Sequence, residues 1–285
     1  MLKILNSNWF TEINHDMNSA FSLAINRKLH EERTAYQLIE IYDTESFGNL
    51  MVIDGAIMLT TKDNFIYHEM ISHPVLFTHQ KPEEIAIIGG GDCGTLTEVL
   101  KHKEVCRVQQ IEIDERVTRL AEQYFPELCK YNQDPRVNFY FTDGIEWMAT
   151  TKADSLDVII VDSTDPLGPA EGLFTEMFYA SCYRALKDSG LLIQQTESPI
   201  YHLNLLKAVR AAMYAVGFNA LNTLTFPQVV YPSGWHCVTM ARKNAFFHEF
   251  REKDAINKPF PTVYYNASIH KAAQVLPEFL QNTLD

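Results

Sequence analysis

Four acidic residues close apolar, strand-like runs in this chain: Asp92 just after EIAIIGG, Glu112 in RVQQIEID, Asp143 in RVNFYFTD and Asp162 in LDVIIVD. Asp92 stands inside GGGDCG, a glycine loop of the type that opens a nucleotide-binding βα unit and offers backbone N–H groups and a helix N-terminus to an anion. A carboxylate in that cradle repels phosphate. Glu112 follows Gly91 by 21 residues, a spacing at which an acid accepts hydrogen bonds from ribose hydroxyls. The two acids together describe a nucleoside that carries positive charge where a phosphate would sit. An S-adenosylmethionine-type compound fits, with its ribose on Glu112, its sulfonium over the loop and its adenine amino group on Asp143, which Gly144 follows. Asp92 narrows the choice further. The terminal carbon of S-adenosylmethionine bears both an ammonium and a carboxylate, and a loop acid attracts the first and repels the second, so the decarboxylated compound is preferred. The plainer alternative for each acid is an N-cap of the helix that follows.

The segment DVIIVDSTDPLGPAEGLF carries a second constellation. Asp162 and Asp165, three apart at a strand end, can face one cavity. The Pro/Gly-rich run from Pro166 to Gly172 reads either as a lid over a ligand site, ordered only when ligand is bound, or as a capped turn. Metal and thiol chemistry find less support. His68, His73 and His79 do not form H-E-x-x-H, and no metal site is expected. His236 and His270 read as structural. Cys93, Cys106, Cys129, Cys182 and Cys237 include no C-x-x-C pair, so neither a zinc site nor a disulfide framework is indicated.

These residues need a scaffold that brings strand ends together. The 285-residue chain is 46% apolar and 21% charged, enough to fill a core. From Glu84 onward, apolar strands alternate with helical stretches, the pattern of an α/β fold with a parallel sheet covered on both faces, where ligands bind beyond the carboxyl ends of the strands. Before that, AYQLIEIYDT, GNLMVIDG and AIMLTT are short β-prone runs separated by turn signals, a small antiparallel module. FIYHEMISHPVLFTH has near-helical spacing broken near Pro74, and SIHKAAQVLPEFLQNTL reads as one closing helix. The net charge, 24 − 36 = −12, argues against a nucleic-acid partner. MLKILNSNWFTEINHD turns polar too early for a signal peptide, and no run is long enough to span a bilayer; a cytoplasmic protein without a membrane partner is expected.

GGGDCG, IEID, DVIIVDSTDPLGPAEGLF and YYNASIHKAAQVLPEFL, with DGAIMLTTKDNFIYHEM upstream, resemble the spermidine synthase family of aminopropyltransferases, from Trp9 to the final helix. The resemblance implies a Rossmann-like, methyltransferase-type catalytic domain over 63–285 behind an N-terminal β-strand domain over 1–62, and a homodimer. It implies transfer of the aminopropyl group of decarboxylated S-adenosylmethionine, a co-substrate, to putrescine, with no resident cofactor and no metal. It assigns Asp162 as the catalytic residue and Asp165 as its partner at the substrate amines. Asp92 binds the aminopropyl ammonium, Glu112 the ribose, and Asp143 with Gly144 the adenine. By the same resemblance Gln37 contacts the nucleoside and Pro169 lies on the adenine side. Tyr67 and His68 line the amine channel, and Gln195 and Tyr231 complete the pocket. The family's loop more often has glycine where Cys93 stands. A left-handed backbone there would strain Cys93, and Asp92 nearby would disfavour its thiolate.

Two other classes are weighed against these residues. A diamine N-methyltransferase would have to accept the carboxylate of intact S-adenosylmethionine, which Asp92 and Asp165 oppose. A non-catalytic polyamine-binding protein would have no use for Glu112 and Asp143.

Overall fold

The computed structural model describes residues 8–166, 168–244, 246–247 and 250–284. Residues 1–7 of the segment read against a signal peptide, and Leu167 of the Pro/Gly-rich run, lie outside them. The first five strands are β1 (Trp9–Asn14), β2 (Ser19–Arg33), β3 (Leu38–Thr44), β4 (Gly48–Ile53) and β5 (Ala56–Thr60), joined as an antiparallel meander in chain order. The β4–β5 turn is Asp54-Gly55, both with positive φ (48° and 87°), the mirror-image turn that matches strand twist. The sequence reading found the last three strands. It missed β1 and β2, whose mixed, half-exposed residues give no clean alternation.

The central sheet contains β6 (Glu84–Gly89), β7 (Arg107–Glu112), β8 (Val137–Phe141), β9 (Leu156–Asp162), β10 (Leu186–Gln195), β11 (Ala220–Pro227) and β12 (Trp235–Arg242), in the order β11-β12-β10-β9-β6-β7-β8. Five strands run parallel. At one edge β12 runs opposite to them and β11, paired antiparallel to β12, returns to their direction, so the sheet is mixed rather than wholly parallel. The helices are α1 (Asn64–Thr78), α2 (Gly94–Leu100), α3 (Glu115–Tyr124), α4 (Gly144–Thr150), α5 (Glu176–Ala185), α6 (Leu203–Ala215), α7 (Glu252–Ile256), α8 (Ala267–Ala273) and α9 (Glu278–Leu284).

Alternation along each strand sorts the core into two layers. In β6, Ile85 and Ile87 pack with α1, α2, α7 and α8, while Ala86 and Ile88 pack with α4, α5 and α6. The small sheet is docked as well. Its Ile39, Ile41, Met51 and Leu59 cover Val117, Leu120 and Ala121 of α3, and Leu50 and Val52 on the other face meet Val230.

Two helix expectations need correction. α1 continues through Pro74 to Thr78. A mid-helix proline removes a backbone bond and costs about 3 kcal/mol, yet every residue from Tyr67 to Thr78 is buried, and that packing outweighs the loss. The closing helix is two helices, α8 and α9, because Pro277 disfavours helical backbone at the residue before it. Among the described residues no helix is long and apolar enough to cross a membrane.

Candidate active site

Strand order reverses between β6 and β9, which lie side by side at the centre of the sheet. At such a switch point the loops leaving the two strands part and open a crevice. The glycine loop leaves β6 here and Asp162 ends β9. Gly90 N–H donates to the Asp162 carbonyl at 2.7 Å. The approach is close enough that a Cβ on Gly89, whose φ is +81°, would lie 2.1 Å from that oxygen. Only glycine serves there.

The Asp162 carboxylate is buried and doubly bonded. Oδ1 accepts from the Tyr67 hydroxyl and Oδ2 from the Thr95 hydroxyl, each at 2.6 Å. Burial, and then Asp92, push its pKa up; the two hydroxyl bonds and His68 pull it back. Burial also drives the Tyr67 phenol well above its usual range, so it stays a neutral donor.

Asp92 faces the same cavity and makes two contacts. Its Oδ1 accepts from Gly94 N–H at 2.6 Å and lies 3.2 Å from His68 Nε2. It is therefore both a helix-start acceptor and a charged wall of the cavity. Burial alone would lower the His68 pKa, but the charge and hydrogen bond of Asp92 raise it on balance. His68 itself is absent from the cavity wall; it stands behind Asp92, where a Cβ on Gly94 would come 2.1 Å from its Cε1.

Glu112, Asp143, Gly144, Gln37 and Pro169 all stand on the cavity wall. Glu112 accepts from Asp114 N–H at 2.9 Å, and burial pushes its carboxyl up to about 7. Asp143 caps α4 through Ile145 N–H at 2.7 Å while lining the cavity, so the cap and site readings coexist. Gln37 donates to Asp114 Oδ2 at 3.1 Å, tying the small sheet to the N-cap of α3.

The opposite end holds more charge than the motifs revealed. Asp165, Gln195 and Tyr231 line it, together with Glu12, Glu197, His202 and His236. Gln195 donates to Glu197 Oε1 at 3.0 Å, and Tyr231 donates to the Met58 carbonyl at 2.7 Å. Burial, then Glu197, push the Asp165 carboxyl up to about 9. Glu197 goes the other way, to about 2, because the nearby His202, whose Nδ1 lies 3.4 Å from Oε2, and Asp165 overcome its burial. The neighbouring carboxyls thus bias one another, Asp165 toward its protonated form and Glu197 toward its charged form. Glu197 is held in a left-handed conformation, φ 61°, at a cost of about 1–3 kcal/mol. Glu12 comes from β1 and Glu197 follows β10; neither was singled out from the sequence, although Glu197 also closes a β-prone run, GLLIQQTE.

Pro166 to Gly172 is less bare than a turn-rich lid. Residues Gly168–Phe174 form a 3₁₀ helix with Ala170 and Leu173 buried. Cys93 does adopt the left-handed conformation, φ 67°. Its thiol is raised well above normal, by a hydrogen bond with Cys129 and by burial more than by Asp92.

A cleft at the carboxyl ends of a mixed sheet, walled by Glu112 at the end of β7 and by an acid in the glycine loop, is that of a Rossmann-like transferase. Residues 64–252 match the spermine/spermidine synthase domain, and residues 8–61 the spermidine synthase tetramerisation domain. A polyamine aminopropyltransferase of Nitrosococcus oceani is 60% identical, covering 96% of each chain. That of Methylococcus capsulatus is 58% identical over 97% of this chain and 96% of its own. The crystal structure of a spermidine synthase with the transition-state analogue AdoDATO superposes with TM-score 0.94 at 33% identity, covering 100% of this chain and 97% of that one. The spermidine synthase of Thermotoga maritima gives 0.92 at 33% identity, with 100% and 96% covered. The chain belongs to the spermine/spermidine synthase family, and as an enzyme it is an aminopropyltransferase of polyamine biosynthesis.

Proposed function

We propose that the protein transfers the aminopropyl group of decarboxylated S-adenosylmethionine to putrescine, yielding spermidine and 5′-methylthioadenosine. The observation that carries this reading is the placement of Asp92, inside the glycine loop, on the same cavity as Glu112 and Asp162. A ribose acceptor, an acid for a lone ammonium and a buried carboxylate then follow one another along a single substrate.

The amine nitrogen attacks the carbon next to sulfur. A C–N bond forms, the C–S bond breaks, and its electron pair neutralises the sulfonium. The leaving thioether is neutral, so no acid is required. The nucleophile is the difficulty: an alkyl ammonium resembles lysine, and its neutral form at pH 7 costs about 4.6 kcal/mol. In this reading Asp162 takes the amine proton as the bond forms, Tyr67 orients the same amine, and alignment with the C–S axis supplies much of the rest. Glu112, Asp143, Gly144, Gln37 and Pro169 hold the nucleoside. The remote ammonium of the acceptor sits among Asp165, Glu197 and Glu12, with Gln195 and Tyr231 along the channel, and His68 acts through Asp92. The reaction so written needs no metal or resident cofactor, and the rate is expected to be unaffected by a chelator. A homodimer is proposed for the assembly.

A panel of amines assayed with decarboxylated S-adenosylmethionine, with products identified by mass, tests the reading. Putrescine is expected to be the best acceptor. Methyl transfer from intact S-adenosylmethionine, or a clear preference for a longer polyamine, would overturn it.

A further inference from the structure

Thr95 was visible in the sequence only as the third residue after Asp92, yet its fully buried hydroxyl bonds Asp162 as closely as Tyr67 does. The two donors take different oxygens. Oδ2 is enclosed, because besides the Thr95 hydroxyl it faces Gly90 so closely that a Cβ there would lie 2.6 Å away. Oδ1 meets Tyr67, which lines the cavity; Thr95 does not. We infer that Thr95 is a positioning residue for the proton acceptor: it immobilises Oδ2, so that Oδ1 alone is offered to the amine, and it keeps the carboxylate ionised within a cluster of acids. This inference rests on the reading of Asp162 as the base.

The surroundings show why such a donor matters. Asp92 from the glycine loop and Glu112 from the end of β7 repel negative charge on Asp162, whereas His68 from α1 favours it; Tyr67 and Tyr231 are neutral. Desolvation also favours the protonated acid, which cannot accept a proton. A hydrogen bond to the charged form opposes both effects. A hydrogen bond to a charged group corresponds to a pKa change of about one to two units.

Thr95→Val keeps the shape and removes the donor; Thr95→Ser keeps the donor. The measurements are single-turnover rate against pH at saturating donor and putrescine, and affinity for 5′-methylthioadenosine. The valine variant is expected to shift the acidic limb upward by about one to two pH units, with nucleoside affinity within about twofold, and serine should restore the original profile. A valine profile that superimposes on the wild type overturns the inference, as does an equal loss in both variants at every pH. A carbon-13 titration of the Asp162 carboxyl needs no turnover and must move the same way in the valine variant. It therefore separates failure of this inference from failure of the proposed reaction, which appears as a wild-type enzyme that makes no spermidine.

Discussion

His68 Nε2 lies 3.2 Å from Oδ1 of Asp92, so the acid of the glycine loop already has an imidazole partner at hand. In the proposed reaction the donor ammonium enters a pair rather than meeting a bare carboxylate. Asp92→Asn is expected to weaken decarboxylated S-adenosylmethionine far more than 5′-methylthioadenosine, which lacks the ammonium. Calorimetry on both ligands measures this, and equal losses would remove the charge-pairing role.

The same pair predicts a proton count. The His68 pKa is raised in the folded protein, so its pairing stabilises the fold fully below pH 6.5 and is lost as pH rises through the raised value. An ammonium docking on Asp92 competes with His68 and lowers that pKa. Donor binding just above pH 6.5 should therefore release a proton, measurable as a dependence of binding heat on buffer. His68→Gln should cut the release back to the part that 5′-methylthioadenosine, which shares the ribose but lacks the ammonium, also shows.

Glu112 gives a separate signal at the ribose end. Burial pushes its carboxyl up to about 7 from 4.5, so the stability contributed by the protonated form is complete below pH 4.5 and is lost as pH rises through 7. Ribose hydroxyls donate to the carboxylate and lower the pKa, so 5′-methylthioadenosine binding at pH 6 to 7 should release a proton. Glu112→Gln should remove that release and weaken the nucleoside by about 1.5–3 kcal/mol. Unchanged nucleoside affinity would leave Glu112 as a loop anchor only.

Asp162→Asn should lower turnover by about 10²- to 10⁴-fold while leaving donor affinity nearly unchanged. The residual rate should rise toward the pKa of the amine, where solvent supplies the neutral nucleophile. Near-normal rates at pH 7 would move the proton acceptor elsewhere.

At the proposed acceptor end Asp165 is pushed toward its protonated form and Glu197 toward its charged form. Glu197→Gln should therefore raise the putrescine KM more than Asp165→Asn does. Steady-state kinetics at pH 7.5 distinguish the two, and the reverse order would mean that the pair redistributes its proton when substrate binds.

The acids that were legible in the sequence share a property: each ends or shortly follows a β-prone run of the central sheet, so a local pattern also gives its place in the sheet. Asp92, Glu112, Asp143 and Asp162 all reach one cavity for that reason. Glu12 and Glu197 reach it as well, but from a half-exposed edge strand and from a left-handed turn after β10. Thr95 carries no local signal of its role, because its partner lies 67 residues away. His68 had the right neighbour but not the right surface, since one residue along a helix turns a side chain by about 100°. Pro74 misled for a related reason, because a local breaking rule yields where a helix is buried along its whole middle and end.

The side-by-side placement of β6 and β9 has a consequence in time. Gly89 pairs with Asp162, and 162 − 89 = 73 positions of chain intervene. At 5–20 residues per second, synthesis needs roughly 4–15 s to cover that interval. Closing such a span costs about 4 kcal/mol in chain entropy. A growing polypeptide thus displays its glycine loop and Glu112 for seconds before the strand carrying Asp162 exists. Ile87 and Ile88, which later lie against Ile160 and Val161, have no neighbour on that side in the meantime. The centre of the mature sheet is, for that interval, a bare apolar edge, and the interval is when this protein is most open to capture by a chaperone or by another unfinished chain.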